Sequence, residues 1–446
     1  MRKRLNPKWF PDYTDKKVID GTLDRLDTAG VSRRSFLKFV SFTAVASATA
    51  GTLGIPALAI ADPKIKMAEL LMSNRLQYDV IANKGAQGAA RALGMNTSEL
   101  DGQFNSNRQL NQFQQEAAKG VDAVLLHAPG GGSIRRIAQL ANQDKIYMDN
   151  TWGTLPWFTP FDAGDYYTMY AEPDCFDAMR ASVDALCQAI MEKFGGGQVV
   201  RVTGVPGNST DIIRSRGGNA ALKDFPKIEL AGQLPGNWNR GDSRKAMESL
   251  ISRYPKLVGV IAQNDDQAQG CLAALRGAGI RPGKDVLVCG ADGTAEGAEA
   301  ILHGEQVSTC ANVPAFMGGF LTARLYDVVS GWQPTAPERL MNWYSVPTTR
   351  KNVKAYISRY VHNGGVEPFN YELMSRVKHP HDWDPQNKVY PMDIDVTWGG
   401  IKKPAGWKYP AAYVQARKNG ESKAIEQLYH EHYKTPIFGP SPMKKA

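Results

Sequence analysis

The chain has 446 residues, 43% hydrophobic and 22% charged, with a formal net charge of +9 and a sequence pI near 9.1. Residues 1–61 hold ten Lys and Arg against five Asp and Glu, so the other 385 residues carry 43 basic and 39 acidic side chains, a net +4. With that near balance and no Lys/Arg stripe interleaved with aromatics, the charge does not describe a nucleic-acid surface, and five cysteines are too few for a disulfide scaffold.

The basic excess belongs to an address. "VSRRSFLKFV" (31–40) places Arg33 and Arg34 before Phe36, Leu37 and Lys38, and the next charged residue is Asp62. The uncharged stretch 39–60 is long enough to cross a bilayer, and the small residues Ala59 and Ala61 suit a signal peptidase. S-R-R-x-F-L-K resembles the bacterial twin-arginine (Tat) signal at every motif position. The resemblance implies twin-arginine export to the periplasm and cleavage after Ala61. A basic flank ahead of a retained anchor is the competing reading. The 385 residues beyond exceed one comfortable core and point to two lobes.

From Lys64 the chain alternates short apolar runs with amphipathic ones. "KIKMAELLMS" (64–73) reads as a strand and 78–95 as a helix; "VDAVLLHAP" (121–129) is a buried strand, followed by a helix from Ile134 and the strand "KIYMDNTW" (145–152). "FTPFDAGDYYTMY" (158–170) breaks the rhythm and is the expected first crossing between lobes. Helix 175–194, strand 198–207, helix 211–225, strand 228–235, helix 241–253, strand 257–265, helix 266–277, strand 285–293, helix 294–303 and strand 306–314 follow. A helix (316–331), the strand "RLMNWYSVP" (339–347) and a helix in "VKAYISRYV" end the pattern. Nearly continuous apolar strands between helices predict an α/β fold of two doubly wound parallel-sheet lobes joined by a hinge. The lobes are drawn as 62–167 with 313–338, and 168–312 with 339–363.

Residues 364–446 have neither period. They are rich in Pro, Gly and aromatics, cannot build a core alone, and are expected to wrap over the lobes through Trp383, Trp398 and Trp407, with one short helix at 422–434. Cys175, Cys187, Cys271, Cys289 and Cys310 form no C-x-x-C pair and read as small core residues with one optional bridge.

Ligands of open parallel sheets bind beyond the carboxyl ends of the strands. The polar residues there are Asn74 and Arg75; Asp149, Asn150 and Trp152; Asn208, Arg214 and Arg216; Asn264 and Asp265; Asp292; and Asn312. Amides, carboxylates and guanidinium can grip adjacent hydroxyls in pairs, and Tyr78, Trp152, Trp157 and Phe158 can cover C–H faces. Helix capping explains any single Asp or Asn at such a place. It explains the whole recurring set less well.

"IAQNDDQAQGCLAAL", "VLVCGADGTAEGAEAILHG" and "VSTCANVP", with the R-x-R-G of Arg214–Gly217, resemble the type I periplasmic sugar-binding proteins, nearest the ribose-binding branch, over Lys64 to Thr349. The resemblance implies two Rossmann-like lobes, three hinge strands and a cleft that closes on a small sugar or polyol for delivery to an ABC transporter permease. It also implies a monomer without cofactor, metal or nucleic-acid partner. Carried over position by position, Asp149, Arg216, Asn264 and Asp292 match sugar-contacting residues, and Tyr78 matches an aromatic over the ring. Asn150 stands where the ribose branch has arginine, Asn312 where it has glutamine, and "SNRLQYD" lacks the usual N-P-F/Y-F run. Those shorter side chains leave another pentose, a hexose, a polyol or a cyclitol open.

The alternative is an exported cofactor- or metal-containing enzyme. Its best metal candidates are His379 with His381 and His430 with His432, and the second pair's i,i+2 spacing puts the rings on different helix faces. "PGGGS" (129–133) lacks the Lys-Ser/Thr ending of a P-loop. A repressor with the same lobes would need a DNA-binding headpiece where this chain has its export signal.

Overall fold

Strand residues buried on both faces, as in all five of Ala123–His127, leave no solvent side to a sheet, and the chain uses them to build two sheets. The computed structural model describes residues 64–444; the expected export signal and its anchor alternative lie outside the described residues. The first sheet holds β1 (Lys66–Leu71), β2 (Asn96–Asp101), β3 (Ala123–His127), β4 (Tyr147–Thr151) and β5 (Tyr167–Pro173). The second holds β6 (Gly197–Thr203), β7 (Ile228–Pro235), β8 (Leu257–Ala262), β9 (Leu287–Asp292) and β10 (Ser308–Ala311). β11 (Leu340–Trp343) then rejoins the first sheet, β12 (Val346–Thr349) the second, and β13 (Val389–Pro391) the first. The orders are β13-β11-β5-β4-β3-β1-β2 and β12-β10-β9-β8-β6-β7. Only the edge strands β13 and β12 run antiparallel to their neighbours.

The chain therefore changes lobe three times, after Pro173, after Ala311 and between Trp343 and Val346. The crossings are hydrogen-bonded to one another. Asp174 N–H donates to Trp343 O at 3.0 Å, Trp343 Nε1 to Asn312 O at 3.1 Å, and Ser345 Oγ to Asn312 Oδ1 at 2.7 Å.

These positions correct two expectations. The stretch 158–170 does not carry the first crossing: its last residues open β5, which pairs with β4 and β11 inside the first sheet. The run 339–347 is two strands in different sheets, so the lobe boundaries fall at 174, 312 and 344 rather than 167, 312 and 338. Within the lobes, edge strand β2 and the helix Ser106–Ala118 went unread. β2 has no buried face to impose alternation, and the helix is built largely of Asn and Gln.

In the first lobe, helices Gln77–Leu93 and Pro314–Val329 touch backbone to backbone: a Cβ on Gly85 would sit 2.2 Å from Ala315 O, and one on Gly318 1.9 Å from Ala82 O. The extension adds β13 to the free edge of β11 and buries Trp383 and Trp398. Trp407 Nε1 donates to Trp157 O at 2.5 Å. It carries helices at Ile394–Thr397 and Ala411–Lys418 besides the expected one, at Glu421–His432. All five cysteines are buried and free.

Candidate functional site

A cavity lies between the carboxyl ends of the two sheets. The first lobe supplies Met72 and Leu76 after β1, Tyr78, His127 and Ala128 at the end of β3, and Trp152 and Gly153 after β4. The second supplies Asn208, Thr210 and Arg214 after β6, Trp238 after β7, Asn264 after β8 and Asp292 at the end of β9. It has about 40 Å³ of room for solvent, about three waters, because the lobes are closed on one another. Gln77 N–H donates to Asp266 Oδ2 at 3.0 Å; its amide and Glu296 exchange two hydrogen bonds, Nε2 to Oε1 at 3.2 Å and Glu296 N–H to Oε1 at 3.1 Å. On the other rim Asn208 Nδ2 donates to Pro129 O at 3.1 Å.

The centre of the second wall is Arg214. Its guanidinium donates to Asp292 Oδ1 at 2.7 Å and to Gln263 O at 2.5 Å, and its carbon stands 5.1 Å from the Trp152 ring centroid and 5.7 Å from that of Trp238. In the closed cleft this cation, paired with a buried carboxylate, lies against both indoles. Trp152 and Trp238 take φ of 54° and 62°, and Asp292 takes 113°, left-handed conformations that cost of order 1–3 kcal/mol each where a side chain must occupy them. Gly204 makes room for the Trp238 indole, since a Cβ there would sit 2.2 Å from Cζ2.

The turn holding Asp292 is tied down by Asp265. Its Oδ2 accepts the N–H groups of Gly293 and Thr294, both at 2.9 Å, and Thr309 Oγ1 at 3.1 Å. Burial pushes Asp292 up to about 6, with Arg214 beside it working the other way; burial likewise raises Asp265 to about 7.

Of the residues singled out from sequence, Tyr78, Trp152, Asn264 and Asp292 meet in this cavity, together with Asn208 and Arg214. Asn264 and Asn208 are largely spent on structure: their Oδ1 atoms cap the following helices, while Asn264 Nδ2 donates to Trp238 O. Asn312 lies one shell behind, donating to Asp292 Oδ1 at 3.0 Å. Asn74 is exposed on the outer rim, away from the cavity. Asp149 and Asn150 are buried within β4, short of the strand end where Trp152 reaches the cavity; Asp149 accepts Thr168 Oγ1 at 2.5 Å, and burial raises it to about 7.

Arg216 is displaced most. Two residues along a helix point to different faces, so where Arg214 faces the cleft Arg216 faces out. It lies over Phe176 and against Gly399 and Gly400 of the extension, 3.4 Å from the carbonyls of Val396 and Thr397. The helix's own phase carried the signal: Thr210, Ile213, Arg214, Gly217 and Gly218 are its buried stripe, and Arg216 is not on it. His127 and Trp238 were not singled out from sequence; each ends a strand or follows one, as the others do. Of the metal candidates, His432 stacks on Trp383 at 4.2 Å, and His379 contacts Asp382.

Two doubly wound lobes, three crossings and a closed polar-aromatic cleft define a two-lobed binding protein. The model of the periplasmic binding protein domain matches residues 72–332, and the chain belongs to that family. The ribose import binding protein of Salmonella typhimurium is 29% identical over 273 residues, 61% of this chain and 86% of that protein. The xylitol-binding protein of Mycolicibacterium smegmatis is 28% identical over 273 residues, 60% and 74% of the two chains. A solved structure of a twin-arginine translocation pathway signal protein from Burkholderia phytofirmans superposes with a TM-score of 0.62 at 25% identity, over 67% of this chain and 94% of that one. The matched proteins lend no support to the exported-enzyme alternative.

Proposed function

We propose that the protein is the periplasmic receptor of an ABC importer, closing on a neutral sugar or polyol and presenting it to a membrane permease without chemical change. The observation that carries this is the Arg214–Asp292 pair in the interlobe cavity, its guanidinium against the Trp152 and Trp238 rings. Because Asp292 neutralises Arg214, the cavity keeps no spare cation for a carboxylate or phosphate. What remains is a paired acceptor and donor for hydroxyls and two indole faces for C–H surfaces. Tyr78, Trp152, Arg214 and Asp292 are the residues we assign to the ligand, with Asn312 and Asp265 behind Asp292.

The test is a thermal-shift screen of the purified protein against pentoses, hexoses, polyols, cyclitols, sugar acids and divalent metals. A ligand at 100 times its dissociation constant stabilises by about 2.7 kcal/mol, so one or two related neutral polyhydroxylated compounds should raise the melting temperature. A shift only with metals or with sugar acids would overturn the reading. Export by the twin-arginine route, with cleavage after Ala61, belongs to the same proposal. Replacing Arg33 and Arg34 together by Lys should hold the precursor in the cytoplasm, and unaltered export would refute it.

A further inference from the structure

The first-lobe wall offers the cavity three polar side chains: Tyr78, His127 and Trp152. Two are engaged already, since the Tyr78 hydroxyl and Trp152 Nε1 both lie on Met317 Sδ, at 3.4 and 3.2 Å. The third is set differently. His127 Nδ1 stands 2.6 Å from Asp79 Oδ1, and Asp79 Oδ2 accepts the Ser73 N–H at 2.9 Å. Both side chains are buried, and the imidazole packs edge-on to Tyr78 with ring centroids 6.2 Å apart.

The tautomer follows from those contacts. Two bare lone pairs would repel at 2.6 Å, and neither atom has another partner, so the contact calls for a proton between Nδ1 and Oδ1. A carboxylate has only acceptors, and a neutral imidazole has one N–H. With that N–H turned to Asp79, a neutral ring keeps Nε2 as an acceptor, and His127 lines the cavity. We infer that His127 is a ligand-contacting residue that selects for a hydroxyl donor on the first-lobe side, and that Asp79 is its positioning residue. This rests on reading the cleft as a sugar or polyol site. A ligand with a hydroxyl there satisfies Nε2; a deoxy compound leaves it unpaired, and a carbonyl or ether oxygen meets it lone pair to lone pair.

Asp79→Asn makes the inference sharp. Ser73 N–H needs an acceptor, so the new amide must turn its oxygen to Ser73 and its NH₂ to His127. Nδ1 then accepts, the imidazole proton moves to Nε2, and the wall changes from acceptor to donor. The experiment pairs long-range ¹⁵N–¹H NMR of the histidine rings, with the His127 signals assigned by their loss in His127→Gln, with titration calorimetry using D-ribose, xylitol and the hits of the thermal screen.

Expected are a protonated Nδ1 in the wild type and a protonated Nε2 in Asp79→Asn. For the bound probe, affinity should fall ten- to hundredfold in both Asp79→Asn and His127→Gln. A protonated Nε2 in the wild type overturns the inference before any ligand is added. A probe that binds wild type and folded His127→Gln equally overturns it while leaving the receptor reading intact. If no sugar or polyol binds the wild type, the receptor reading fails and takes the inference with it.

Discussion

Arg214 and Arg216 lie two residues apart on helix Ser209–Leu222, the first buried in the cleft and the second outside it. Arg214 has a side chain 3% exposed and its partner Asp292 one 8% exposed. A charged hydrogen bond to a ligand hydroxyl is worth about 1.5–3 kcal/mol, and each 1.4 kcal/mol is tenfold in affinity, so Arg214→Ala should weaken ligand binding about ten- to hundredfold. Arg216, partly exposed with carbonyl contacts at 3.4 Å, resembles a surface pair worth at most about 1 kcal/mol, so Arg216→Ala should cost less than about fivefold. Calorimetry on both variants, beside thermal melts without ligand, measures the contrast.

The melt also separates binding from folding. Burial raises Asp292 and Arg214 opposes that rise, so removing Arg214 pushes the carboxyl further toward its neutral form rather than leaving a buried unpaired charge. Arg214→Ala should therefore keep a cooperative melt, and Arg214→Ala with Asp292→Asn should be no less stable than Arg214→Ala alone, while both lose affinity. Equal loss of affinity in Arg214→Ala and Arg216→Ala would refute the reasoning, as would wild-type affinity in Arg214→Ala.

Three further outcomes follow from the packing. Burial raises Glu69 and Glu172 to about 8 from 4.5; the folded state therefore holds protons that the unfolded state has released, and stability, full below pH 4.5, declines as pH rises toward 8. Melts should be higher at pH 5 than at pH 8, and Glu172→Gln should flatten that slope. Gly318→Ala would place a methyl 1.9 Å from Ala82 O and should destabilise by about 1–3 kcal/mol in denaturant titration. Trp398→Ala, removing a fully buried ring packed between Trp157 and Tyr170, should cost about 3–5 kcal/mol; a wild-type melt there would mean that the extension contributes nothing to the first lobe.

How far the sequence could be read depends on the range of the force that acts at each place. Strands such as Ala123–His127 and helices such as Cys175–Phe194 are set by burial within a few residues, and their apolar runs give them away. The crossings are set by pairings far along the chain. β5 lies beside β11, Trp343 opposite Pro173, and nothing local in "DYYTMYAEP" marks that neighbour. "MNWYSVP" reads as one strand because two residues, Tyr344 and Ser345, suffice to pass between sheets. In the site the motif R-x-R-G was visible, yet the choice between its arginines needed the helix phase set by the Asn208 cap. His127 was hidden for a different reason: a histidine among "VLLHAP" looks like a core residue until Asp79, 48 positions earlier, is seen against it.

The departures from the ribose branch acquire a physical meaning once the hinge is traced. Asn312 sits at the second crossing with its amide on Asp292, its Oδ1 taking Ser345 from the third crossing, and its carbonyl taking Trp343, whose own carbonyl accepts Asp174 at the first. A longer glutamine at this position could reach into the cavity; the shorter asparagine stops at Asp292 and ties the carboxylate to all three hinge segments. Asp292 is thus one oxygen away from both the ligand space and the parts of the chain that must twist when the lobes part. A ligand hydroxyl held by Asp292 would bear on the same side chain that Asn312 ties to the crossings. On this wiring, affinity and closure draw on the same few bonds.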